Sequence, residues 1–115
     1  METIRIVSEK PDKWVILKIT HNGNTFYKVF GSWGGGYLNG DSWRMNSGIS
    51  NVEEDEGYFY FYGYSGSCYQ CKKGLYGFAT SYSAGIVDSL KVTADKNLGE
   101  IDVLDESTDW LNLLK

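Results

Sequence analysis

Residues 14–30 constrain the fold more tightly than any other stretch of this chain. Trp-Val-Ile-Leu-Lys-Ile-Thr (14–20) is a nearly continuous apolar run rich in β-branched residues, the kind that suits a pleated, buried surface. His21-Asn22-Gly23-Asn24 interrupts it, and Thr-Phe-Tyr-Lys-Val-Phe (25–30) resumes the pattern. Asn-Gly readily takes the positive φ pair that a two-residue turn demands, so the two runs predict an antiparallel hairpin. The nearly continuous apolar character of the first run predicts a strand buried on both faces.

A second constraint lies at 58–64, where Tyr-Phe-Tyr-Phe-Tyr-Gly-Tyr alternates strictly. Side chains on a strand point alternately to its two faces, which places the phenylalanines on a core side and the tyrosines on a half-wet side. Residues 49–53 and 57–64 read as a hairpin across the acidic turn Glu53-Glu54-Asp55-Glu56, and 68–72 as a further strand after Ser65-Gly66-Ser67. Residues 3–7 read as a short first strand and Pro11-Asp12 as the turn after it. In 83–96, Ile86, Val87, Leu90 and Ala94 fall at helical spacing, with Ser81 or Ser83 as the N-cap. A last strand is expected at 100–104. Ser107-Thr108-Asp109 then caps a short helix whose Trp110, Leu111 and Leu114 form an apolar stripe. The expected fold is α+β and β-rich, a single domain over 1–115. It is an antiparallel meander sheet, or a small sandwich or barrel, with one helix across it and a short C-terminal helix.

Composition agrees with that architecture. Aromatics make up 16% of the residues, half of them Tyr, and Pro occurs once against fourteen Gly, as expected of short strands joined by glycine turns. The net charge of −4 is uneven, +2 over 1–50 and −6 over 51–115. General nucleic-acid binding is disfavoured, because neutralising phosphates needs a basic stripe and only Lys72-Lys73 hints at one. No apolar run reaches the roughly 18 residues needed to cross a bilayer, and no membrane partner is expected. The start Met1-Glu2-Thr3 lacks a basic region followed by an apolar stretch, so the chain is expected to stay in the cytoplasm. There its two cysteines would be free thiols.

Candidate chemistry is sparse. Cys68-Tyr69-Gln70-Cys71 has the Cys-x-x-Cys spacing, but a redox pair needs its first thiol at a helix N-terminus, and here the motif sits in a predicted strand that turns the two sulfurs to opposite sides. Zinc would need two more ligands, and the single histidine, His21, belongs to a turn. Neither 63–67 nor 81–85 completes a nucleophile elbow, and no phosphate-binding fingerprint can be written on 31–48. No catalytic residue, metal or cofactor is therefore expected, and a non-enzyme is the reading.

The most specific segment is 31–48, with six glycines, Trp33, Tyr37 and Trp43. The three aromatic rings can stack on a base, and Arg44 can fork onto a phosphate. Asp41, Asn46 and Ser47 can read ribose hydroxyls or a base edge, while the glycines present backbone N–H groups to anionic oxygens. Tyr60 and Tyr62 offer a further flat surface. These nine residues form the expected ligand site for a nucleotide-like small molecule. The plain alternative is that the tryptophans plug the end of a sandwich and that Asp41 and Arg44 form a salt bridge.

Tyr27-Lys28-Val29-Phe30, Gly35-Gly36-Tyr37-Leu38, the run from Gly40 to Ile49 and Gly63-Tyr-Ser-Gly-Ser67 resemble a group of small uncharacterised proteins of tailed bacteriophages, over residues 13–77. The resemblance implies a phage-encoded accessory protein in a bacterial host cytoplasm. Such proteins often counter host defence. One class similar in kind comprises oligomeric sponges that hold a nucleotide-derived immune signal without cleaving it. A homo-oligomer is then expected, with exposed sheet aromatics and the Trp110 stripe as seams. The competing expectation is an inhibitor that presents its acidic turn and tyrosine ladder to a basic host defence protein, a nuclease or CRISPR effector.

Overall fold

The computed structural model describes residues 4–35 and 40–115. Among the described residues, seven strands and a helix follow in order: β1 (Lys13–His21), β2 (Asn24–Trp33), β3 (Ser42–Met45), β4 (Ile49–Glu54), β5 (Tyr58–Gly63), β6 (Cys68–Lys72), α1 (Ser81–Lys96) and β7 (Gly99–Val103), with a 3₁₀ turn at Trp110–Asn112. They make two antiparallel sheets, one ordered β3-β2-β1-β7 and the other β4-β5-β6.

The β1–β2 hairpin is in the expected register. His21 pairs with Asn24, and Asn22 and Gly23 carry φ of 53° and 77° between them, the left-handed pair that a two-residue turn requires. β1 is buried on both sides because it lies in the middle layer of three. Trp14 and Ile16 belong to a core facing the second sheet, with Val29, Phe61, Tyr69 and Cys71. Val15 and Leu17 face the helix, with Phe30 and Val87. The remaining flank of β1 is taken by β7, with Leu17 opposite Val103 and Ile19 opposite Ile101.

β4, β5 and β6 form the expected meander, and Phe61 is fully buried against Trp14, ring centroids 5.4 Å apart. Chain passage between the sheets occurs at 46–48. There Asn46 Oδ1 accepts the Val29 N–H at 3.0 Å, and Gly48 takes φ 134°, a conformation that favours glycine.

Three expectations are corrected. Residues 4–7 form no strand. Ile4 and Ile6 are 90% and 85% exposed, because Arg5 turns inward instead and pairs with Glu53 at 3.4 Å. Among the described residues, main-chain pairing begins at Ser8, whose N–H meets the Cys68 carbonyl at 2.9 Å. The helix is capped by Thr80, whose hydroxyl accepts the Ser83 N–H while the Ser83 side chain accepts from the Thr80 N–H. Trp110 is no surface seam: it is 3% exposed and packs against Trp14, Phe61 and Tyr76 at centroid distances of 5.8, 6.3 and 5.5 Å. Leu111 and Leu114 stay on the surface. Tyr76 ties this corner together, its hydroxyl donating to the Leu104 carbonyl at 2.6 Å and accepting the Ile16 N–H at 3.0 Å. Burial pushes its phenol up to about 12. No helix among the described residues is long and apolar enough to cross a membrane.

Candidate functional site

β2 and β3 pair with Gly31 opposite Arg44, Ser32 opposite Trp43 and Trp33 opposite Ser42. Alternation then sorts the side chains. Trp43 joins the helix-side core and stacks on Phe30, centroids 5.4 Å apart and planes 14° from parallel. Trp33, Ser42 and Arg44 fall on the other face, beyond the cover of the second sheet. Segment 9–12 runs beside them and closes an open cleft of about 450 Å³, lined by Glu9, Asp12, Trp33, Gly34, Gly35, Gly40, Ser42 and Arg44.

Local contacts fix this geometry. Pro11 is buried and lies so close to β2 that a Cβ on Gly31 would sit 2.9 Å from the Pro11 Cβ; glycine is what lets the segment approach. The Trp33 indole N–H donates to the Lys10 carbonyl at 3.0 Å, and Asp12 Oδ2 accepts the Gly34 N–H at 3.0 Å. Indole ring and glycine turn are thereby held to one wall. Across the cleft, Arg44 Nη1 stands 3.3 Å from Glu9 Oε1, with the arginine side chain 68% exposed. The cleft thus offers an oriented ring, a solvent-facing guanidinium, a hydroxyl, two carboxylates and a glycine-rich rim.

Of the expected site residues, Trp33 and Arg44 come together here, whereas Trp43 faces the opposite side of the sheet. Asp41 is exposed beside the cleft without lining it. Asn46 is 4% exposed, its carboxamide oxygen taken by Val29. The Ser47 hydroxyl accepts the Ser65 N–H at 2.9 Å and serves the turn. Tyr37 lies outside the described residues. Glu9 and Asp12 join the cleft without a strong sequence signal; all that marks them locally is that they are acids on either side of the chain's single proline, Pro11.

Tyr60 and Tyr62 belong to the second sheet, in a separate network. Tyr60 is 5% exposed; its hydroxyl donates to Asp55 Oδ2 at 2.7 Å and accepts from Gln70 Nε2 at 3.3 Å. The Arg5 guanidinium covers its ring at 4.2 Å. Tyr62 donates to Glu53 Oε1 at 2.7 Å, and burial, aided by that carboxylate, pushes its phenol up to about 12. The Tyr60 hydroxyl, with the amides of Gly57 and Tyr58, holds Asp55 below the usual carboxylate range. Glu54 pairs with Lys73 at 2.6 Å. Most of the acidic turn is therefore bonded within the chain, and the middle of the tyrosine row is tied up in this network: Tyr60 is buried and Tyr58 and Tyr62 are half-buried, while Tyr64 at the end of the row is 71% exposed.

Cys68 and Cys71 are both buried and free. Burial raises both thiols, Cys71 well above the ordinary range, which makes them poor nucleophiles. His21 is exposed at the hairpin end. No three His, Cys, Asp or Glu among the described residues cluster closely enough to hold a metal ion. No protein-family model, curated protein or solved structure matches the chain.

Proposed function

We propose that this chain binds a nucleotide-like small molecule in the cleft between β3 and segment 9–12 and holds it without transforming it. The observation that carries this reading is the convergence of Trp33, Ser42 and Arg44 in one open cleft of about 450 Å³. That volume lies within the range of roughly 300–1,000 Å³ typical of small-molecule sites. The indole ring is pre-oriented by its bond to Lys10, so stacking a base on it costs little side-chain ordering. Arg44 is exposed enough to fork onto a phosphate, and the carboxylates of Glu9 and Asp12 can accept from ribose hydroxyls.

In the setting that the resemblance over 13–77 implies, a phage-infected bacterial cytoplasm, such capture would withdraw an immune signal from its effector. Inhibition of a defence protein through the acidic turn and tyrosine ladder has less support, because Glu53, Glu54 and Asp55 already have partners within the chain.

Calorimetric titration with cyclic dinucleotides, cyclic trinucleotides and cyclic ADP-ribose isomers tests the proposal. One member of the panel is expected to bind and to be recovered intact by chromatography. Trp33→Ala should weaken it by about 1–3 kcal/mol, the worth of one stacked base, and Arg44→Ala should weaken it as well. A folded protein silent toward the whole panel, or one that converts the ligand, would overturn the reading.

A further inference from the structure

This inference rests on the capture role just proposed and concerns the charge that the cleft accepts. Glu9 is the more sheltered partner of the cleft's ion pair, its side chain 26% exposed against 68% for Arg44. Its backbone is held on both sides, with its N–H on the Cys68 carbonyl at 3.3 Å and its carbonyl on the Gln70 N–H at 2.9 Å. Arg44 stands on β3, at one edge of its sheet, with its head in solvent. An anion that takes Arg44 can draw the guanidinium toward itself, while Glu9, held through its backbone, keeps its carboxylate at the cleft. Asp12, tied by Oδ2 to the Gly34 amide, adds a second negative charge to the cleft lining.

Two carboxylates thus face one guanidinium among the described lining residues. A single negative charge at Arg44 is compensated. Every further charge on the ligand meets the field of Glu9 and Asp12 with no second cation among the described lining residues to offset it. We infer that Glu9 sets the charge of the ligand, so that the cleft accepts an isolated, singly charged phosphodiester of the kind found in cyclic nucleotides and turns away polyphosphates.

The test is calorimetry at low ionic strength with adenosine, 3′,5′-cyclic AMP and ATP, on the full chain and on Glu9→Gln, which removes the charge and keeps the shape. The unaltered protein is expected to bind cyclic AMP at least about tenfold more tightly than ATP, the effect of one unscreened like charge a few ångströms away. In Glu9→Gln, the affinity for ATP relative to adenosine should rise about tenfold, because adenosine carries the same ribose hydroxyls but no phosphate and so reports any change in the ribose contact alone. Equal binding of ATP and cyclic AMP by the unaltered chain, or an unchanged ratio in the variant, would overturn the inference. So would silence toward all three ligands. The capture role itself is judged separately, on the cyclic dinucleotide, trinucleotide and ADP-ribose panel and on Trp33→Ala. Thermal melting of Glu9→Gln, expected to match the unaltered chain, shows that the variant is folded.

Discussion

Asn46 follows β3 with both its backbone and its side chain bonded to one residue of the neighbouring strand: its N–H donates to the Val29 carbonyl at 3.2 Å and its Oδ1 accepts the Val29 N–H at 3.0 Å. Replacing it by Ala would leave the Val29 N–H unpaired beside the core. A buried donor without a partner costs about 1–3 kcal/mol, so Asn46→Ala should lower the denaturant midpoint with little change in slope, and should leave ligand binding in the cleft intact. In the sequence this amide looks the same as a ligand contact, because every polar group in the glycine-rich stretch is equally available until the pairing register shows which ones the fold uses. Trp43 and Arg44 teach the same lesson. They are neighbours on a four-residue strand, and one turns to the core while the other turns to solvent. A strand that short among glycines carries too little periodicity to reveal its two faces.

The helix begins where Thr80, Ser81 and Ser83 crowd together, and all three are acceptable caps by residue type. Which one serves is decided by the chain leading in: the Ala79 N–H donates to the Ser32 hydroxyl at 2.9 Å, which sets Thr80 in extended geometry with φ −145° and ψ 163°. Thr80→Ala should cost about 1 kcal/mol. It should read as a drop of roughly 4 °C in the melting midpoint followed by circular dichroism, while Ser81→Ala should have almost no effect. Elements with strong local patterns, the Asn-Gly hairpin and the Tyr-Phe strand above all, are legible to within one residue of their observed ends, except that β2 continues three residues past its expected end, to Trp33. The segment before Ser8 is not, because its alternating Ile4 and Ile6 imitate a strand while the contact that directs it is the long-range pairing of Arg5 with Glu53.

At the scale of the molecule, two-sided burial of β1 is readable from its apolar stretch 14–17, but the division into two sheets is not. Local hairpins look alike whether the next strand continues the same sheet or crosses to another. The pairing of Leu17 with Val103 joins residues that no local signal connects. Trp110 depends on the same distant geometry, since only the assembled layers bring Trp14, Phe61 and Tyr76 around it. Trp110→Ala should therefore destabilise the whole domain by about 3–5 kcal/mol, read in chemical denaturation, whereas Leu111→Ala, 38% exposed next to it, should change stability little. The placement of the two cysteines has a consequence of its own. Cys71 lies in the core between the sheets, and Cys68, three residues back along β6, lies on the reverse face. Their α-carbons are about 10 Å apart, beyond the reach of about 7 Å within which a disulfide closes. No internal crosslink can form while β6 stays intact, so oxidants should neither staple this domain nor unlatch it.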